Sequence, residues 1–253
     1  MRRMIIEAVT VCAKGRGKDR SYADIFAETL PINRAIVDRL LVVTDPTDVQ
    51  TLDLCHQHNC EAIVTEEHWR DGDDFNKGRI VERGLALLEH ADWLLHLDSD
   101  IALPSDFRES LDDADLDPRV IYGADRLMVV GADQWDRLRS RGSSSRAWHC
   151  YQSTLGLPVG ARWTDVRFGY VPIGYFQLWH RSADHRKGIR LRRYPDKHQD
   201  AARADVQFAL QWDRRHRQLI PELYVAHLES EPSATGTNWK GRRTRPFRPN
   251  CVC

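Results

Sequence analysis

Four apolar, strand-forming runs recur in the first hundred residues, and each is separated from the next by a stretch that reads as helix. They are Met4 to Cys12, Arg39 to Asp45, Glu61 to Thr65 and Trp93 to Leu97. Strands that alternate with helices form βαβ units, and such units build a mostly parallel sheet covered by helices. Helices are expected from about Ser21 to Leu30, with Pro31 as a breaker, from Thr47 to His58 after the Asp45-Pro46-Thr47-Asp48 turn, and from Asn76 to His90. The last carries Ile80, Val81, Leu85, Leu87 and Leu88 on an apolar face. The expected fold class is α/β, with the Rossmann-like layering of nucleotide-binding proteins.

The fourth run ends in Asp98-Ser99-Asp100. Open α/β sheets place their ligands at the carboxyl ends of strands. Residues i and i+2 of an extended segment point to one side, so Asp98 and Asp100 can share a hard divalent cation. The bland alternative is a polar loop after a strand. Two further stretches point the same way. Asp74-Phe75-Asn76-Lys77-Gly78-Arg79 opens the helix before that strand, and cations with free backbone N–H groups at a helix start suit a phosphate-bearing ligand. Val225-Ala226-His227-Leu228-Glu229-Ser230 places a histidine at the end of a late strand. One His and two Asp form a ligand set for Mn²⁺ or a similar ion, completed by phosphate oxygens and water. Lys77 as a solvated surface lysine and His227 as a hydrogen-bonded core histidine are the competing readings.

The chain has 253 residues, enough for one large α/β domain or two small ones, and no linker separates its halves. The second half is less regular. Strands are expected at Arg119 to Gly123, at Val171 to Trp179, entered through a Pro/Gly bend, and at Leu219 to His227, and helices at Gln134 to Arg139 and Ala201 to Trp212. Arg141 to Arg146 reads as a loop. The formal net charge is zero, but residues 1–126 carry 15 Lys and Arg against 26 Asp and Glu, and residues 127–253 carry 22 against 11. Such asymmetry points the second half toward an anionic partner, or else reflects arginines that merely solvate a surface.

The chain resembles the GT-A glycosyltransferases, which use nucleotide-diphosphate sugars. The resemblance rests on the D-x-D motif Asp98-Ser99-Asp100, on Phe75-Asn76-Lys77-Gly78, and on Gly174-Tyr175-Phe176-Gln177-Leu178-Trp179, which is similar to the glycine-aromatic segment lining the sugar pocket of galactosyltransferase-like members. It covers residues 4–230 in order of elements and implies one GT-A-like domain over 1–253: a donor-binding half, 1–126, and an acceptor-binding half, 127–253. It implies a sugar transferase with a divalent metal, Mn²⁺ or Mg²⁺, and a nucleotide-sugar donor, UDP-linked by family default. It further implies that Thr10, Val11 and Cys12 border the nucleotide, that Asp45 holds base or ribose, and that Asn76 and Lys77 approach the base or diphosphate. Asp98 would contact ribose or a metal-bound water, with Ser99 beside it. Asp100 would be a direct metal ligand and His227 would complete the metal site. Gly174 and Tyr175 would line the sugar pocket. Asp205, or second Asp200, would be the general base; the commoner E-D-D cluster is absent here. Lys240, Arg242 and Arg243 in the basic tail would close over the phosphates.

The acceptor stays open at this point. Arg186, Lys187, Arg190, Arg192, Arg193 and the 240–248 tail, interleaved with Trp239 and Phe247, suit an anionic polymer such as nucleic acid carrying a hydroxylated base. Glycan, lipid-linked and small acceptors are the alternatives. A sugar-1-phosphate nucleotidyltransferase, with Lys14-Gly15-Arg16-Gly17-Lys18 as its phosphate loop, and a non-catalytic binding module are rivals from other classes. The six cysteines show no secreted-domain framework, and Cys55-His56-Gln57-His58-Asn59-Cys60 lacks the spacing of a common zinc site. No apolar run reaches the roughly 18 residues of a membrane helix, and the N-terminus lacks a signal-peptide pattern. A cytoplasmic protein without a membrane partner is therefore expected; the oligomeric state is not legible.

Overall fold

The computed structural model describes residues 3–186, 189–232 and 238–248. Lys187, Cys251 and Cys253 lie outside them. The first half runs β1 (Ile6–Val11), α1 (Ala23–Ile36), β2 (Arg39–Thr44), α2 (Val49–Gln57), β3 (Glu61–Val64), α3 (Lys77–Leu85) and β4 (Trp93–Leu97). Then come β5 (Ile101–Ala102), α4 (Phe107–Asp113), β6 (Ile121–Val130), α5 (Ala132–Arg141) and α6 (Ser145–Gln152). A ribbon of β7 (Thr164–Asp165) and β8 (Gly169–Tyr170) leads to β9 (Phe176–His180) and α7 (Arg181–Asp184). A second ribbon, β10 (His185–Arg186) and β11 (Ile189–Arg190), precedes α8 (Ala204–Ala209) and β12 (Arg217–Glu229).

Both halves contribute to one eight-stranded sheet, in the order β3-β2-β1-β4-β9-β6-β12-β5. The four strands of the first half are parallel, as their βαβ pattern requires. β9 then runs antiparallel to both β4 and β6, while β12 is parallel to β6 and β5 antiparallel to β12. The sheet is therefore mixed beyond β4, and the reversal positions the site. It sets the start of β9 beside the carboxyl end of β4, with Leu97 opposite Phe176.

Period-two alternation sorts β1 between two cores. Ile6 and Ala8 pack with Phe26, Leu30 and Phe107 on one face. Val9 and Val11 pack with Ile80, Val81, Trp179 and Phe208 on the other. A third cluster joins Trp135 and Trp148 to β6, β12 and Phe247. Each fully buried side chain of Phe size contributes roughly 2–3 kcal/mol relative to exposure.

Two expectations are corrected, and a third is sharpened. Pro31 does not end α1, which continues to Ile36. The carbonyl that loses its partner to Pro31 belongs to Ala27, which is exposed and reaches water. The buried Asn33 then anchors the last turn through Ile101 O at 2.7 Å and Leu103 N at 2.9 Å. The strand expected at Val171 to Trp179 is entered through a bend, as its Pro172 and Gly174 suggest: the bend runs up to Tyr175, closed by Phe176 N donating to Ile173 O at 3.2 Å, and the strand starts at Phe176. The helix expected from Ala201 begins at Ala204, because Arg203 takes a left-handed φ of 68° and Ala201 N donates to Trp239 O at 2.9 Å.

The basic tail is not free. Phe247 is buried in the third cluster, and its N–H donates to Asp24 at 2.6 Å. Arg248 joins Glu28 and Asp136, and buried Arg242 is held by Asp24, Ser21, Ser230, Thr244 and the Arg245 carbonyl.

Candidate active site

β1, β4, β6 and β12 run in one direction, so their carboxyl ends open on one side of the sheet. A cleft of about 460 Å³ lies there. Val11 and Cys12 from the end of β1, Lys77 from the start of α3, and Asp98, Ser99 and Asp100 after β4 line one side. Arg126, Gly174, Tyr175, Asp205 and His227 line the rest, and Trp239 and Arg242 bring the tail to its rim. Some of the expected donor, sugar-pocket, metal and base residues thus meet in one place.

Lys77 and Asp98 form an ion pair. Behind it stands a network that cross-strand register creates. His96 of β4 faces Gln177 of β9, and Tyr194 lies between their side chains. Gln177 donates both amide hydrogens, to Pro172 O at 2.8 Å and Asp205 O at 3.0 Å, so its oxygen accepts from the Tyr194 hydroxyl. With that hydrogen used, His96 Nδ1 donates to Tyr194 at 2.7 Å. The bare Nε2 faces Asp98 Oδ1 at 3.6 Å. Burial pulls His96 far below its ordinary pKa, and Lys77 adds to the shift. Burial also pushes Asp98 up to about 6, countered by Lys77 and reinforced by Asp100. Burial works against the charge on Lys77, but Asp98 outweighs it and the amine is held above its usual range.

Asp100 Oδ2 lies 3.3 Å from His227 Nε2. Burial alone would raise Asp100, but His227 outweighs it and holds the carboxyl below its ordinary value. Its Oδ1 is buried without a hydrogen-bond partner. An orphaned buried carboxylate oxygen beside an imidazole fits a cation. Among the described residues no three His, Cys, Asp or Glu side chains converge at ligand spacing, so Asp98 does not join Asp100 and His227 in the three-residue set that was expected. Asp205 Oδ2 accepts the Gly174 N–H at 2.5 Å. Residue 174 must be glycine for this approach, since a Cβ there would lie 2.9 Å from Asp205 Cβ.

Six expected residues do not line the cleft, the exposed Arg243 among them. Thr10 is buried within β1. Asp45 is fully buried, and its oxygens accept from Lys14 N at 2.7 Å, Thr47 N at 2.8 Å and the Thr47 hydroxyl at 2.5 Å. Asn76 caps α3: its oxygen accepts from Arg79 N at 3.0 Å and its amide donates to Asp73 at 3.0 Å. Asp200 closes a turn onto Ala202 N at 2.9 Å. Lys240 pairs with Asp74 at 2.9 Å on the outside. Arg242 reaches the rim, but its donors are spent on the tail's own docking. Sequence reading missed His96, Tyr194 and Arg126. The histidine two positions before the acidic pair was a usable signal; the others depend on pairing that no local pattern reveals.

No protein-family model and no curated protein sequence matches the chain. Among solved structures, mannosyltransferase PcManGT from Pyrobaculum calidifontis in complex with GDP-Man and Mn²⁺ is similar at 16% identity and a TM-score of 0.50, over 93% of this chain and 59% of that one. Glucosyl-3-phosphoglycerate synthase from Mycobacterium tuberculosis aligns at 14% identity and a TM-score of 0.47, over 90% of this chain and 73% of that one. The chain spans about three fifths of the mannosyltransferase. The order of the sheet, the cleft at its carboxyl edge and this likeness together give the chain a GT-A fold.

Proposed function

We propose that the chain transfers a sugar from a nucleotide-diphosphate sugar, UDP-linked by the family resemblance, to an acceptor hydroxyl, using Mn²⁺ or Mg²⁺. The observation that carries this reading is the buried, unpartnered Asp100 Oδ1 beside His227, in a cleft that also holds Lys77, Asp98 and Asp205. The mannosyltransferase with this fold binds GDP-Man and Mn²⁺, which supports the donor and metal class. Asp100 and His227 would hold the cation. Bound there, it would stabilise the negative charge that grows on a departing nucleoside diphosphate. Lys77 would stay against Asp98 and turn its charge toward the diphosphate. Val11 and Cys12 would border the nucleotide through backbone groups. Asp205, with Oδ2 fixed by Gly174, would take the acceptor's hydroxyl proton on Oδ1.

A nucleic-acid acceptor was expected from the basic second half. Its support weakens, because Arg162, Arg190, Arg242, Arg245 and Arg248 are paired with carboxylates of this chain. A small or glycan acceptor is the reading we favour. The test is to titrate a panel of nucleotide sugars with and without Mn²⁺, and to repeat with Asp100→Ala. Metal-dependent binding that the variant loses is expected. Binding that is unchanged in the variant would remove Asp100 from the metal site.

A further inference from the structure

The cations that line the cleft are not equivalent. Lys77 is paired with Asp98, and Arg242 with Asp24. Arg126 has no carboxylate partner among the described residues. Its Nη1 donates to His227 Nδ1 at 3.3 Å, its guanidinium lies 4.5 Å from the centre of the Tyr175 ring, and its Nε is buried without a hydrogen bond. Two other enclosed arginines are paired, Arg79 with Asp196 and Arg190 with Asp184 and Glu82, while buried Arg217, which does not line the cleft, bonds only the Phe168 carbonyl. A partly buried cation held only by one imidazole nitrogen and an aromatic face has an unmet demand for an anion.

Space is kept for this side chain. Gly160 faces it, and a Cβ there would come within 2.5 Å of Arg126 Nε and 2.7 Å of its Cγ. Position favours the acceptor over the donor. Arg126 stands on β6, beyond β9 from β4, whereas Val11, Cys12 and Lys77 belong to β1 and α3. The present contact is also weak: at 3.3 Å to a single ring nitrogen it is longer than an ordinary N–H hydrogen bond.

We propose that Arg126 anchors an anionic group, a carboxylate or a phosphate, carried by the acceptor. This rests on the transferase reading above and narrows the acceptor to a small hydroxyl compound bearing negative charge. The test uses the full chain in saturating Mn²⁺, with and without the nucleoside diphosphate selected by the donor panel. Glycerol phosphate and glycerate are titrated by calorimetry, with glycerol as the neutral control. The wild type is expected to bind both anions and not glycerol. Arg126→Met should weaken anion binding by about tenfold or more, the value of a charge-assisted hydrogen bond, and leave nucleoside diphosphate affinity within about twofold. Arg126→Lys, which keeps the charge, should retain part of the anion affinity. Equal binding of glycerol, or anion binding untouched in both variants, overturns the proposal. So does a matching loss of nucleoside diphosphate affinity in Arg126→Met, which would turn Arg126 toward the donor. If the wild type binds no nucleoside diphosphate with Mn²⁺, the transferase reading fails, while anion binding that needs Arg126 would still stand.

Discussion

Asp205 has one carboxylate oxygen committed to the Gly174 N–H and lines the cleft beside Lys77 and Asp98. Asp205→Asn keeps the side chain's size and can still accept from Gly174, but its amide cannot take a proton. Turnover should fall roughly 10²–10⁴-fold, the usual contribution of a general base, with Mn²⁺-dependent donor binding retained. A parallel loss of donor binding would assign Asp205 a structural role instead. The Tyr194 hydroxyl carries a different burden, because it satisfies Gln177 and His96 at once. Tyr194→Phe strands a buried acceptor and a buried donor, and urea unfolding should show a loss of about 1–3 kcal/mol. No loss would mean that water replaces the hydroxyl. Asp98, Asp100, Lys77, Asp205 and His227 were legible in the sequence because strand ends and helix starts announce where such groups gather. Gln177 and Arg126 were not, because their meaning comes from opposition across strands, Gln177 to His96 and Arg126 to Val225.

The elements of the first half follow from periodicity and caps, and α3 shows how closely. Asn76 was expected to meet the donor, but it starts the helix, with its oxygen on Arg79 N and its amide on Asp73 and the Asp196 carbonyl. Because it is fully buried, Asn76→Ala should cost about 1–2 kcal/mol from the cap alone. It should also shift Lys77, the next residue, and so weaken donor binding. A stable variant with unchanged donor affinity would separate the cap from the site. Elements that tertiary contacts decide were harder to read. Pro31 stays inside α1 because Asn33 is tied to Ile101 and Leu103, seventy residues away. The bend from Val171 to Tyr175, legible from Pro172 and Gly174, carries Gly174 and Tyr175 to the cleft. In α1, by contrast, a local propensity lost to a distant partner.

Across the whole molecule, the opposite charges of the two halves act in part on each other. Asp24 and Glu28 of α1 receive Arg242 and Arg248 of the tail, Glu82 receives Arg190, and Asp74 receives Lys240. Composition revealed the asymmetry but not its use, since pairing partners far apart in sequence leave no local trace. The same compactness buries histidines in their neutral form, and this sets how the fold responds to acid. His68 is fully buried between Trp69 and Phe75, with neither ring nitrogen hydrogen-bonded. Burial lowers its pKa to about 4, against a partial pull upward from Asp45. An unfolded histidine titrates near ~6.5. Between these values the unfolded chain binds the extra proton and the folded chain does not, so stability falls as pH falls. His68's contribution is complete above about pH 6.5 and is lost progressively down to about pH 4, by on the order of 3 kcal/mol. Urea unfolding at about pH 7 and about pH 5 should show that decline, and His68→Leu should shrink it, leaving the part due to buried His96. An identical decline in the variant would place the acid sensitivity outside the His68 pocket.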